Sequence, residues 1–511
     1  MSRKRKNEKR PRPTPPPDGP PRGKWRPAAA LLGTFSLFLL TLGTFPFGEQ
    51  WRFLDLSIAS FTSRGEERMA YRETPIDSIQ ILRKDLLGEP HYYRMVTNNY
   101  SMSATDLRAK RYMKLFVYLP TAIRPGLQRA MLVGYGCGNT ARALLDDDSV
   151  QSVDVVDISS GLLEVSREIY PRREKDPLAD PRVTIHVEDA RFFLLSTSGT
   201  YDLITGEPPP PKASKVVNLY TREFFSLARD RLSPRGVVTY WLPVDQLFQE
   251  ETRAVVRAFC DVFDDCSLWS GSETQWIMMG TRGSARPVSE GEFEEQWADP
   301  VTGPEMRALG FPGPEQFGSL YIADGRRLRE WLGESPALTD NYPWRLTPWG
   351  PPTREDFDVY RELADPQLSR DGFLEGAGVS GRWPPDLRMR SGQHFQVRDM
   401  VNRLLEQPDP LHLEACLLNP LLGDYILWAF RSDITAQRIL SRAGSRKTMP
   451  DPLNPEVLLH LAAGEARNRN YAGAANNLRR AVDDGFQSPT LRGYSPADLQ
   501  GMIAVLLEAS R

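Results

Sequence analysis

Hydrophobic and polar positions fall into distinct regimes along this chain. From Gln128 onward, short apolar runs alternate with amphipathic ones. Ala130–Val133, Val153–Val156, Val183–Val187, Asp202–Thr205 and Gly236–Trp241 read as strands, and Thr140–Leu145, Gly161–Ile169 and Thr221–Leu232 as helices. Near-continuous apolar strands in a strand–helix alternation predict a parallel sheet covered on both faces. Ahead of it, Ser78–Arg83 and Tyr92–Thr97 are β-like and separated by a Leu-Gly-Glu-Pro turn signal. Ala104–Leu119 then reads as a helix that ends at Pro120.

The ends of the chain differ from this middle. Residues 1–27 are basic and proline-rich with almost nothing to bury, which predicts disorder. Residues 28–47 carry no charge, and as a helix they would span roughly 30 Å, which predicts a single transmembrane helix. The basic leader predicts a cytoplasmic N-terminus by the positive-inside rule. The sidedness of the globular part stays open within a bacterial inner-membrane localisation. Residues 60–125 form the small β unit plus helix, 126–285 the α/β domain and 286–350 an appended segment that closes with Thr339-Asp340-Asn341-Tyr342-Pro343. Residues 351–450 are proline-interrupted and helical in parts. Residues 451–511 are helical, with a tetratricopeptide-like (TPR-like) hairpin at 455–484, read first as a packed helical pair.

Composition narrows the function. The net charge is −2 over 511 residues, which argues against nucleic-acid binding. Five histidines and four scattered cysteines offer little for a metal site or a disulfide framework; Cys260 and Cys266 read as small buried residues rather than a pair.

Chemistry concentrates in the α/β domain. In MLVGYGCGNTA, a strand runs into Gly134, Gly136 and Gly138 and then a helix, so backbone N–H groups can approach a ligand. Asp157 ends the second strand about 20 residues later, where a carboxylate can accept ribose hydroxyls. Asp189 and Ala190 follow the third strand, placed to meet an adenine edge. This order suits an adenosylmethionine-type nucleoside site in a Rossmann-type fold, an α/β class resembling adenosylmethionine-dependent methyltransferases.

The pieces LVGYGCGNTARALL, VDVVDISSGLLEV, DPRVTIHVEDARFFL, YDLITGEPPPP and NLYTREFFSLARDRLSPRGVVTYWLP resemble the spermidine/spermine synthase (aminopropyltransferase) family, closest to its bacterial membrane-fused members. The resemblance implies a polyamine-biosynthesis transferase that uses S-adenosylmethionine or decarboxylated S-adenosylmethionine and no metal. It places the base that deprotonates the amine acceptor on Glu207, with Tyr112 and Tyr220 near that acceptor. The sequence also departs from the family. Glu207-Pro208-Pro209-Pro210-Pro211 replaces an Asp-Ser-Ser-Asp-Pro type loop, Cys137 stands where an Asp often sits, and Tyr112-Met113-Lys114 replaces Tyr-His-Glu. Lys114 would repel a dicationic acceptor if it lined the pocket. Lys212 and Lys215 follow the prolines and read as a solvated loop. The alternatives are a methyltransferase on the same scaffold and a membrane-tethered nucleoside-binding scaffold without turnover. Candidate partners are the small-molecule amine, the membrane, a second copy in a homodimer, and a protein docked on the C-terminal helices.

Overall fold

The computed structural model describes residues 26–44, most of 49–341 (87–88, 212–215, 273, 284–285 and 312 excepted), much of 360–398, scattered positions over 458–470, and 471–483 and 496–511. The chain divides into two compact units, Met1–Ser60 and Phe61–Arg511. The expected disordered leader, Lys212 and Lys215, and most of 351–450 and of 455–470 lie outside the described residues.

In the first unit, α1 (Arg26–Thr44) is followed by α2 (Glu49–Thr62). Among the described residues no helix is long and apolar enough to cross a membrane. This overturns the single-pass localisation expected for residues 28–47. The helix stops at Thr44, before Pro46, and Arg26 opens it. Its uncharged part is about 27 Å long at 1.5 Å per residue, short of the roughly 30 Å of a hydrocarbon core.

The second unit begins with an antiparallel sheet of β1 (Glu66–Glu73), β2 (Ser78–Leu86), β3 (Glu89–Thr97) and β4 (Tyr100–Ala104), paired in sequence order. Both predicted stretches are strands, and the turn between β3 and β4 uses Asn98 and Asn99 at positive φ, which asparagine tolerates better than most residues. Next comes α3 (Leu107–Ile123), capped by Asp106, whose side chain accepts from the Ala109 N–H. This helix runs through Pro120 rather than ending there. Proline removes the N–H that would bond the Phe116 carbonyl, and the Thr239 hydroxyl donates to that carbonyl instead at 2.7 Å.

The main sheet then alternates with helices: β5 (Arg129–Val133), α4 (Asn139–Leu145), β6 (Ser152–Asp157), α5 (Ser160–Val165), β7 (Val183–Val187), α6 (Ala190–Ser196), β8 (Tyr201–Gly206), α7 (Arg222–Asp230), β9 (Leu232–Pro243) and α8 (Gln249–Cys260). The predicted helix from Gly161 shortens to α5 and tightens to a 3-10 turn at Ser166–Ile169. An antiparallel extension follows, β10 (Ser267–Ser270) and β11 (Gln275–Thr281). After α9 (Glu290–Ala298), α10 (Thr302–Ala308) and α11 (Glu315–Gly318), β12 (Tyr321–Asp324) joins the same sheet beside β10, and α12 (Gly325–Leu332) follows it. The strand order is β12-β10-β11-β9-β8-β5-β6-β7. From β5 the chain winds outward through β6 and β7, then returns to lay β8 on the other side of β5, all four parallel. The β5/β8 boundary is therefore the topological switch point, where ligands of such sheets bind.

Alternation along β5 explains why both sheet faces are dry. Ala130 and Leu132 enter the core beneath α3 and α4, whereas Met131 and Val133 enter the core beneath α7 and α8. Asp202 pins the lower end of this boundary. Burial pushes its carboxyl up, but Ser233, Arg124 and the N–H groups of Gln128 and Arg129 outweigh that and hold it at about 2. Because the folded value lies below the usual 3.8, its contribution is present above that pH and is lost as pH falls toward 2. Asp202→Asn is expected to lower stability by about 2 kcal/mol near neutral pH, measured by urea unfolding.

Cys260 and Cys266 form a disulfide that closes the turn from α8 into β10, correcting the unpaired reading. Their 5.2 Å Cα separation arises because the helix ends at one and the strand begins beside the other, a proximity that spacing alone does not give. Further on, α13 (Pro366–Glu375) packs on β12, with α14 (Pro385–Ser391) nearby. Near the C-terminus, α15 (Tyr471–Asp483) packs against α16 (Pro496–Ala509), and Ala474, Leu478 and Ile503 are buried. α15 falls within the hairpin expected at 455–484, whose first half lies mostly outside the described residues, and a tetratricopeptide-like unit is not shown.

Candidate active site

The glycine turn after β5 is built for close approach. Gly134, Gly136 and Gly138 all have positive φ, from +55° to +81°. A Cβ on Gly138 would sit 2.6 Å from the Tyr135 hydroxyl, and one on Gly136 would sit 2.8 Å from the Ser103 hydroxyl. Strain and space both require glycine here. Ser103 reaches in from β4, where its Oγ accepts from the Cys137 N–H at 3.1 Å. The small β unit therefore helps to hold the loop. Cys137 is a buried free thiol pushed up to about 12 by burial.

Asp157 closes β6 next to this turn and is 9% exposed. One carboxylate oxygen accepts from the Tyr135 N–H and the other from the Ser159 N–H, both at 2.9 Å. Burial raises this carboxyl and the two backbone donors oppose the rise. Asp157 thus ties the glycine loop to the strand end. Asp189 lies exposed after β7 as the N-cap of α6, where its Oδ1 accepts from the N–H groups of Arg191 and Phe192 at 3.0 Å each. Ala190, 6% exposed, opens that helix. Beside the two acids, Ile158 and Val187 stand open to solvent at 57% and 56%. These apolar residues on the carboxyl edge went unnoticed in the sequence because single aliphatic residues near strand ends carry no signal.

Glu207 sits directly on the switch point. It follows β8, and its N–H donates to the Val133 carbonyl across the boundary at 3.1 Å. Gly134 faces it closely enough that a Cβ there would lie 3.3 Å from the Glu207 carbonyl oxygen. The residue is half-buried overall, yet its Oε1 is sealed from solvent without a hydrogen-bond partner among the described residues. Oε2 meets the Thr140 hydroxyl at 3.4 Å. Burial pushes the carboxyl up to about 8, against a small opposing effect of Thr140. A singly held carboxyl of this kind is a candidate proton acceptor.

Tyr112 lies within electrostatic reach of Glu207. The Tyr112 phenol is raised well above its usual range by burial first, then by the carboxylates of Glu207, Asp106 and Asp245, with Arg108 opposing. Asp245 is a residue that sequence reasoning missed. It follows β9 in a 3-10 turn and is held by a relay: the Trp241 Nε1–H donates to Gln275 Oε1 at 2.8 Å, and Gln275 Nε2 donates to Asp245 Oδ1 at 3.1 Å. The hairpin that carries Gln275 abuts Tyr112, since a Cβ on Gly271 would lie 2.7 Å from the Tyr112 Cβ. Tyr220 is placed differently. It is wholly buried, its hydroxyl donating to the Pro208 carbonyl at 3.2 Å, so it backs the proline loop rather than facing the cleft. Lys114 does not line the pocket either. Its amine turns to Asp146 at 2.9 Å and Glu305 at 3.1 Å. Among the described residues, no group of three or more His, Cys, Asp or Glu could hold a metal ion.

A glycine turn, two strand-end acids and a carboxyl raised to about 8 thus meet at the switch point of a doubly wound α/β domain. Residues 109–267 match the Spermine/spermidine synthase domain. The polyamine aminopropyltransferase of Lachnospira eligens is 28% identical over 158 residues, 31% of this chain and 55% of that protein. The polyamine aminopropyltransferase of a Synechococcus strain is 26% identical over 304 residues, 56% of this chain and 94% of its own length. The match thus spans little more than half of the Lachnospira protein, and 60% of the Alkaliphilus metalliredigens relative. The solved spermidine synthase from Thermotoga maritima aligns with a TM-score of 0.37 at 18% identity, covering 42% of this chain and 73% of that one.

Proposed function

We propose that this chain is an aminopropyltransferase that takes decarboxylated S-adenosylmethionine as donor and an amine as acceptor. The observation that carries the reading is Glu207: a buried carboxyl with an unpartnered Oε1 and a pKa raised to about 8, placed at the switch point beside the glycine turn. Polyamine aminopropyltransferases among its relatives support the same chemistry.

The donor's adenosine would lie over Gly134, Gly136 and Gly138. Its ribose hydroxyls would meet the remaining lone pairs of Asp157, and its adenine would slot between Ile158 and Val187 near Asp189 and Ala190. The acceptor amine would stand between Glu207 and Tyr112. Its lone pair attacks the carbon attached to the sulfonium, the carbon–sulfur bond breaks with its electrons going to sulfur, and methylthioadenosine leaves. The amine's excess proton passes to the Glu207 carboxylate. An ammonium has no lone pair, so the reaction needs this acceptor of protons.

Charge supports a diamine. The proline loop lacks the second acid of the related sequences, but the carboxylates of Asp106 and Asp245 lie close enough to raise the Tyr112 phenol, with Arg108 opposing. Asp245, oriented by Trp241 and Gln275, would hold the far ammonium. Asp245→Asn is expected to raise KM for putrescine about tenfold with kcat little changed, from the loss of one charge-assisted bond. A monoamine such as butylamine should show no such effect.

Product analysis tests the whole reading. Incubation with putrescine and each adenosyl donor should yield methylthioadenosine from the decarboxylated donor. Release of adenosylhomocysteine from adenosylmethionine would instead identify a methyltransferase, and the absence of any product would leave a nucleoside-binding scaffold.

A further inference from the structure

The Thr339-Asp340-Asn341 stretch has no part in the chemistry above, yet Asp340 ties together the two halves of the site. Arg191 grips its carboxylate as a fork, Nη1 donating to Oδ1 at 2.8 Å and Nη2 to Oδ2. The Thr221 hydroxyl lies 2.8 Å from the same Oδ1. The Asp340 N–H donates to Glu223 at 3.1 Å, and the neighbouring Leu338 carbonyl accepts from the Arg222 N–H at 2.9 Å. Both partners of the carboxylate adjoin residues singled out above. Arg191 directly follows Asp189 and Ala190, and Asp189 holds its N–H. Thr221 caps α7 and directly follows Tyr220, whose hydroxyl holds the carbonyl of Pro208, the residue after Glu207.

We propose that Asp340 is a positioning residue that couples donor binding to the shape of the acceptor pocket. The nucleoside docks against Asp189 and Ala190 and fixes the start of α6. Arg191 carries that constraint through the Asp340 carboxylate to Thr221, which sets Tyr220 and the Pro208 wall beside Glu207. The inference rests on the aminopropyltransferase reading. The side chains of Arg191 and Asp340 are 24% and 31% exposed, so solvent partly screens the pair. Its contribution is directional, because a two-pronged guanidinium–carboxylate contact fixes angle as well as distance. Positioning and folding can therefore be separated experimentally.

The test is calorimetry on the full chain, titrating putrescine with and without saturating methylthioadenosine. In the wild type the nucleoside should tighten putrescine binding about tenfold. In Asp340→Asn that ratio should fall to about one, with a thermal midpoint close to wild type, and Asp340→Glu should restore part of it. Arg191→Gln carries the same comparison should Asp340→Asn not fold. A tenfold ratio that persists in Asp340→Asn or Arg191→Gln overturns the inference, as does a wild-type ratio of one when both ligands bind. If the wild type binds neither ligand, the aminopropyltransferase reading fails and the coupling fails with it.

Discussion

Glu207→Gln is expected to lower kcat for aminopropyl transfer by about 10³-fold while leaving methylthioadenosine affinity within about twofold. The amide keeps the size of the carboxyl and its contact with Thr140, so the cleft should hold its shape. What it loses is the capacity to take a proton, and among the described residues no second carboxylate follows β8. The wild-type pH dependence offers an independent check. With the carboxyl at about 8, the empty site is mostly protonated at neutral pH, so kcat/KM for the donor should rise as pH climbs through about 8. The bound sulfonium favours the ionised form, so the limb in kcat should fall at lower pH than the limb in kcat/KM. The same shift has a cost in stability. A carboxyl raised from 4.5 in the unfolded chain to about 8 in the fold binds more protons when folded, so its ionisation destabilises the protein progressively between those values. Glu207→Gln should therefore unfold at higher temperature than wild type at pH 8 and match it near pH 4. Undiminished turnover in a variant that shows this stabilisation would remove Glu207 from the reaction.

The parts of this protein legible in sequence are those fixed by local periodicity. β7 matches its expected bounds and β5 begins one residue early, because short aliphatic runs between turns have few other solutions. The glycine turn and Asp157 were legible for the same reason, since a positive-φ turn and a strand-end acid are written within about two dozen residues. Long-range pairings were hidden. Pro120 looks like a helix stop until Thr239 is found donating to the carbonyl it strands. Lys114 looks like a misplaced charge in the acceptor site until Asp146 and Glu305 are found around it. Asp245 carries no motif and gains meaning only when Gln275, on the strand paired antiparallel with β9, is seen to hold it. β12 looked like part of an appendage and instead extends the central sheet, because antiparallel addition at an edge demands no particular pattern. The uncharged N-terminal stretch misled for a related reason: hydropathy counts residues, whereas spanning depends on where the helix stops.

Asp157→Asn carries the second large expectation, a loss of methylthioadenosine affinity of about 10²-fold, measured by calorimetry. The wild-type carboxylate satisfies two backbone donors at once, the Tyr135 N–H inside the glycine turn and the Ser159 N–H that begins the approach to α5. An asparagine offers one oxygen to accept and turns an NH2 toward the other donor. One buried N–H is then left unpaired, at about 1–3 kcal/mol, and either the glycine turn or the Ser159 turn must move to relieve it. The ribose would also lose an acceptor. Geometry makes the effect local. Asp157 lies at the carboxyl end of β6, beyond the Val153 and Val155 side chains that hold the sheet to its helices, so circular dichroism should stay close to wild type while binding fails. If Asp157→Asn bound the nucleoside as tightly as wild type, the acid would be a cap for the turn alone and the ribose would have to lie elsewhere. That result would also weaken the case for Glu207, because the position of the sulfonium relative to the base follows from where the ribose is held.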